Sequence, residues 1–291
     1  MANETTTTTL TELVNSEFIN EAILDYAHDH AVAAPYLNWM DLRGKATKTG
    51  SFPKKVLDAV TAPTNEVTEL AAAEFETTDV QIAAVEIGVR RDVTDAALEE
   101  TILGAQIFNL LVQDAGVLMG ISLDNDIVAL FGSLSTNVGA TTVDLSLANM
   151  VEAQAQVRIN GMRGSLVYIL DDQQASDYQA AQAASTTTTV SDFFQVAHGI
   201  ESGYLGTFMG APVWQTGLCD TANAGADVAG ACFIDGAASK AGACFGGVMT
   251  RDIKTELERN ASMRQTEFVA TAKWGVGEIS DLSGCSIITD A

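Results

Sequence analysis

The 291-residue chain is 47% hydrophobic and carries 15 basic against 38 acidic residues, for a net charge of -23. That apolar content is enough for a large buried core in one or two domains, so a disordered chain is excluded. The acidity repels nucleic acid and anionic lipid, no basic run offsets it, and solubility is its simplest use.

The opening MANETTTTTLTE has neither the basic region nor the apolar core of a signal peptide, which predicts synthesis in a cytoplasm. Its Thr-rich start predicts disorder. Thr9 and Glu12 then have capping-box spacing ahead of a short helix whose apolar stripe is Leu13, Phe18, Ala22 and Tyr26. Pro35 ends that helix in AAPYLNWMDLRG, an extended aromatic piece that reads as an arm seeking a partner surface. His28 and His30 have no third ligand nearby and predict a solvated helix end rather than a metal site.

Residues 44–79 gather Lys45, Lys48, Lys54 and Lys55 with two prolines and show no helical or strand periodicity. Such a stretch cannot make its own core, and long loops of this kind are functional or disordered. The four lysines are expected to meet the acidic face of a neighbouring subunit. In VQIAAVEIGV the apolar phase moves from Val80 and Ile82 to Val85, Ile87 and Val89, which predicts a strand with a bulge or a change of covered face. RRDVTDAALEET follows, with Thr94 as the cap of a short turn.

From Thr101 to Phe131 one helix is predicted, about 46 Å long, against a radius of gyration of about 19 Å for a compact chain of this size. A helix that long implies an elongated or flat subunit. Leu103, Ile107, Leu110, Leu111, Leu118, Ile121, Val128 and Phe131 recur at helical spacing, broken only by Asp114 and Asn125, so Leu110 and Leu118 are expected to face the core. Gly104, Gly116 and Gly120 predict a bend or a close contact, and Gly132 a stop. No membrane span is expected, because the longest uncharged runs are rich in Ser, Thr, Asn and Gly.

LSTNVGATTVD reads as a linker and LSLANMVEAQAQVRIN as a helix closed by Gly161. The strand SLVYIL, the helix DDQQASDYQAAQ, the loop STTTT and a helix over VSDFFQVAHGI then give the alternation of a mixed layer, one subdomain over residues 144–244. Gly242, Gly246 and Gly247 read as turn glycines. Further on, Ile253, Thr255 and Leu257 alternate, as do Phe268, Ala270, Ala272 and Trp274, and NASM between them completes a long antiparallel pair. Cys219, Cys232, Cys244 and Cys285 form no C-x-x-C pair, which predicts reduced, buried thiols rather than zinc.

The sequence holds no Walker A motif, G-x-S-x-G elbow, H-E-x-x-H helix or Rossmann fingerprint, and no cofactor is expected. The acid pairs Glu99 and Glu100, Asp124 and Asp126, and Asp171 and Asp172 could supply a general acid and base. In so acidic a chain they arise freely, and solvated helix faces and caps explain them. His198 has no Ser or Cys nucleophile pattern beside it.

GYLGTFMGAPVWQTG, residues 203–217, sets glycines around a short apolar run followed by Gly210, Pro212 and Val213. This stretch resembles the tailed-phage major capsid proteins of the HK-ninety-seven type, and the order of elements over nearly the whole chain resembles them too. The resemblance implies an α+β major capsid protein fold. Residues 1–43 would form the N-terminal arm and residues 44–88 the extended loop (E-loop). A peripheral domain would span 89–143 and 245–280 around a spine helix at 101–131, and an axial domain 144–244 and 281–291. It further implies a structural protein and not an enzyme: hexamers and pentamers tiling an icosahedral shell in the virion around phage double-stranded DNA, bound without sequence specificity. Scaffolding, portal and decoration proteins are the implied partners, with the scaffold separate because no long N-terminal extension is visible. An encapsulin-like shell around a cargo enzyme is the alternative. A carboxylate-dependent hydrolase, the third reading, predicts a discrete globular oligomer with a cleft.

Overall fold

The computed structural model describes residues 31–55, 77–100, 106–184, 203–222 and 225–290. In chain order, a 3-10 turn at Ala34–Tyr36 leads into strand β1 (Asn38–Asp41). Strands β2 (Thr49–Lys55) and β3 (Thr77–Ala83) pair antiparallel as a two-stranded ribbon. Strand β4 (Val85–Thr94) runs into helix α1 (Asp95–Glu100), capped by the Thr94 hydroxyl, which accepts from the Ala97 amide at 3.3 Å. Helix α2 (Gln106–Val128), strand β5 (Asn137–Gly139), helix α3 (Leu147–Ile159), strand β6 (Leu166–Leu170) and helix α4 (Asp172–Ala184) follow. Then come β7 (Tyr204–Phe208), β8 (Ala211–Gln215), β9 (Thr221–Ala222), β10 (Asp227–Ile234), the long hairpin β11 (Phe245–Asn260) and β12 (Gln265–Glu278), and β13 (Gly284–Asp290).

Two larger sheets organise these elements. A seven-stranded sheet runs β5-β13-β10-β6-β8-β7, with β9 beside β10. Helices α3 and α4 cover one face through Met150, Val157 and Tyr178, which meet Tyr168, Cys232 and Ile287. The other face meets the end of α2, where Phe131, Phe233 and Phe245 stack with ring centroids 5.1–5.7 Å apart. Burial on both faces explains why LVYIL and DVAGACFI are unbroken by charged residues after Asp227. Ser146 caps α3 and Gly161, at φ 79°, closes it.

The second sheet has the order β1-β11-β12-β4. Helix α2 lies across it, packing Val112, Ala115 and Met119 on Phe268, Ala270, Ala272 and Trp274. Two ties fix the ends of this layer. Arg259 and Asp95 make a two-pronged ion pair between β11 and α1, and Asp126 on α2 accepts from Trp274 Nε1 at 3.1 Å.

Several expectations change here. The long helix ends at Val128, before Phe131, and its predicted start at 101–105 lies outside the described residues. Leu110 and Leu118 do not face the core; they are 50% and 37% exposed. Of the predicted stripe, Val128 and Phe131 are fully buried, but helix α2 is apolar on both sides and earlier along it the covered side is Val112, Ala115 and Met119 rather than Leu110 and Leu118. Asn109–Ser133 is also long and apolar enough to cross a membrane by composition, contrary to the sequence reading. It is the core helix of a packed layer, lying on the β12 face. The supposed linker after it contains β5, which pairs in parallel with β13. Gly246 and Gly247 lie within β11 rather than in turns, and residues 49–55 form a strand within the predicted structureless loop.

Candidate assembly interface

The ribbon leaves the body where the apolar phase of the sequence shifts. Ala84 belongs to no strand, and its amide donates to the Lys48 carbonyl at 2.8 Å, closing the ribbon's base. Before Ala84 the chain pairs with β2; after it, with β12. The base is buried through Phe52 and Ile82, which join Leu42, Ala243, Val248 and Ile279. Glycines in the hairpin admit it. A Cβ on Gly275 would stand 2.2 Å from the Ala83 carbonyl oxygen, and one on Gly246 would stand 3.2 Å from the Phe52 ring. Residues 56–76, the far part of the predicted loop, lie outside the described residues.

The four lysines fall around this ribbon. Lys45 and Lys48 are exposed ahead of β2, Lys54 is half-buried on it, and Lys55 is its last residue, with a side chain outside the described set. Lys54 acts on Glu278: burial and Asp281 raise that carboxyl's pKa, while the Lys54 charge opposes them. Lys45 contributes to a patch at the end of β1, where Arg43 donates to both Asp41 oxygens and to Asp252. The Arg43 bonds hold the Asp41 pKa down to about 2. Beside this patch a cavity of about 500 Å³ opens between α2, β1 and the hairpin, lined by Trp39, Met40, Met119, Leu123, Met249 and Trp274.

Residues 32 and 33 meet helix α2 at Asp124. Its two carboxylate oxygens accept from the amides of Val32 and Ala33 at 3.0 and 2.8 Å, and the side chain is fully buried. Burial raises its pKa, and the amide bonds pull the other way. Sequence reasoning placed Asp124 on a solvated face and missed this latch. The available signal was a carboxylate flanked by the apolar Leu123 and Ile127, one position from the counted stripe. Trp39 Nε1 donates to the Ala34 carbonyl at 2.7 Å and locks the following turn.

The other candidate catalytic groups have structural occupations. Asp126 holds Trp274, Asp171 accepts from the Gln173 amide at 3.0 Å, and Asp172 sits in the first turn of α4. The side chains of Glu99 and Glu100, and residues His28, His30 and His198, lie outside the described residues. Among the described residues no three His, Cys, Asp or Glu side chains converge as metal ligands. Cys219, Cys232, Cys244 and Cys285 are free and buried, and burial pushes their thiols up.

No protein-family model matches the sequence, and no curated protein does. Solved structures do match. A chain of Mycobacterium phage Che8 superposes with a TM-score of 0.65 at 13% identity, covering 88% of this chain and 90% of that one. The acid-stable capsid of Helicobacter pylori bacteriophage KHP30 gives 0.65 at 12% identity, covering 91% of each. A virus-like particle from Pyrococcus furiosus gives 0.57 at 11%, covering 94% and 99%. At such identities the likeness is one of fold. The chain has the α+β fold of the HK-ninety-seven-type tailed-phage major capsid proteins.

Proposed function

We propose that this chain is a major capsid protein, a structural subunit and not an enzyme, that assembles as hexamers and pentamers into an icosahedral shell around phage DNA. The observation that supports this most is the shared fold over about nine-tenths of both chains with phage capsid structures. The surface chemistry is compatible with it. Among the described residues the ribbon is buried on the body through Phe52 and Ile82, and large apolar side chains such as Val85, Leu110, Ile159 and Met263 are exposed, which is the surface a subunit buries on assembly. In this reading residues 1–43 are the arm, 44–88 the extended loop, 89–143 with 245–280 the peripheral domain, and 144–244 with 281–291 the axial domain. Lys45, Lys48, Lys54 and Lys55 then set the loop on a neighbour's acidic face, orienting it more than holding it. Scaffolding, portal and decoration proteins complete the partner set, and the virion is the location.

The likeness to the Pyrococcus furiosus particle favours a second reading, an encapsulin-like compartment. Particles purified from the native source and treated with nuclease separate the two. A capsid protects double-stranded DNA; an encapsulin-like shell yields protein cargo and no genome.

A further inference from the structure

Between Ser133 and Thr250 the sequence has three basic residues, Arg158, Arg163 and Lys240, and the fold gathers them at one end of the seven-stranded sheet. At that end Leu166 of β6 lies opposite Ile234 of β10, and Gly284 of β13 opposite Phe233. Asn160, just after α3, donates through Nδ2 to the Leu282 carbonyl at 3.3 Å, which brings the Arg158 turn there. A Cβ on Gly164 would stand 3.3 Å from Ser239 Oγ, so Arg163 and Lys240 flank one contact. All three cations are exposed, and none makes an ion pair among the described residues. The acids nearby are engaged: Asp235 accepts from the Ala237 and Ala238 amides, and Asp281 from the Ser135 amide and hydroxyl. Among the cations stand exposed Ile159, Leu282 and, on the β7–β8 turn, Met209. An apolar and basic surface of this kind fits a carboxylate-rich partner.

The opposite end of the same sheet has that chemistry. Strand β6 runs out into Asp171 and Asp172, and β13 ends at Asp290, opposite Asp227. The Asp290 amide donates to the Val143 carbonyl at 3.1 Å, which brings Asp144 to this end, and the Asp220 carbonyl accepts from the Ala229 amide at 3.2 Å. Asp144, Asp172 and Asp220 are exposed, with exposed Val143 beside them. Even the five residues of β6 separate the two ends by about 17 Å, at about 3.3 Å per residue, against a screening length of about 8 Å at physiological salt. The ends therefore do not neutralise each other within one chain. A contact between unlike ends of two copies is heterologous, and such contacts close into rings when the rotation permits. We propose that the basic end of this sheet docks the acidic end of the same sheet in a second copy, head to tail. The proposal rests on the capsid reading above and gives its capsomers a direction.

Lys240 is the one lysine between Lys55 and Lys254, so its crosslinks are simple to assign. Full-length protein made separately in light- and heavy-isotope media is mixed before assembly, treated with a carbodiimide that joins amines to carboxylates without a spacer, and digested for mass spectrometry. The expected product joins Lys240 to Asp144, Asp172 or Asp220 between unlike isotopes. The triple variant Arg158→Glu, Arg163→Glu, Lys240→Glu should keep its circular dichroism spectrum and lose rings and shells. Adding Asp144→Lys, Asp172→Lys and Asp220→Lys to the same chain should restore them; if either variant fails to fold, the crosslink of the natural protein alone decides. Shells that form while Lys240 couples elsewhere, or within its own chain, overturn this proposal and leave the capsid reading standing. A protein that forms neither rings nor shells overturns both. A triple variant that assembles normally but no longer retains DNA assigns the basic end to nucleic acid and likewise overturns it.

Discussion

Asp124 holds the Val32 and Ala33 amides against α2, and its chemistry sets a pH signature. Burial raises its pKa above the ordinary aspartate value, so the folded state holds the proton more tightly than the unfolded chain does. The stability this group contributes is therefore full below the unfolded pKa and is lost as pH rises through the folded one. Asp124→Asn removes the charge and keeps one acceptor for the Val32 and Ala33 amides. The stability of this variant relative to wild type, measured by denaturant titration, should improve between pH 4 and pH 7. Equal differences at both values would mean that Asp124 titrates as in the unfolded chain. A second comparison tests the orientation of α2. Met119, fully buried against β12, should cost about 2–5 kcal/mol when changed to Ala, whereas exposed Leu118 changed to Ala should cost well under half as much. Equal losses would return Leu118 to the core.

At the scale of elements, the proposed assembly role falls on the ribbon, whose described base is buried on the body through Phe52 and Ile82. Replacing residues 57–75 by a short turn keeps Phe52 and Ile82 in their cluster, so the shortened subunit should fold, as judged by circular dichroism, yet stop at rings or monomers. Shells of normal size from that variant would show that the far part of the loop is dispensable. The elements differ in how legible they were in the sequence. The hairpin β11–β12, the strand β6 and the helices α3 and α4 were readable because each shows one strong period or a continuous apolar run with a cap at its end. The break at Ala84 was readable as a phase shift, although not as an exchange of partner strands. By contrast, β2 reads TGSFPKK, with Pro53 within it, and β5 is only three residues long; both owe their existence to partners far along the chain. Gly246 and Gly247 looked like turn residues because the sequence does not reveal that Phe52 and Trp39 press on that strand. Asp124 was missed for the same reason: its partners are main-chain amides 91 and 92 residues away, which no side-chain motif announces.

For the whole molecule, the difficulty of assembly is charge. Subunits of net charge -23 must approach closely, and the basic residues near the ribbon are few. Salt shortens the range of that repulsion from about 30 Å at 0.01 M to about 10 Å at 0.1 M, so light scattering should show faster and more complete assembly across this range. Indifference to salt would show that the acidic faces are already neutralised at contacts. Whether the subunit tiles as proposed is tested most directly by negative-stain electron microscopy of the purified full-length protein. Closed shells or capsomer-sized rings are the predicted result, and a monodisperse monomer at high concentration and at 0.1 M salt would contradict it.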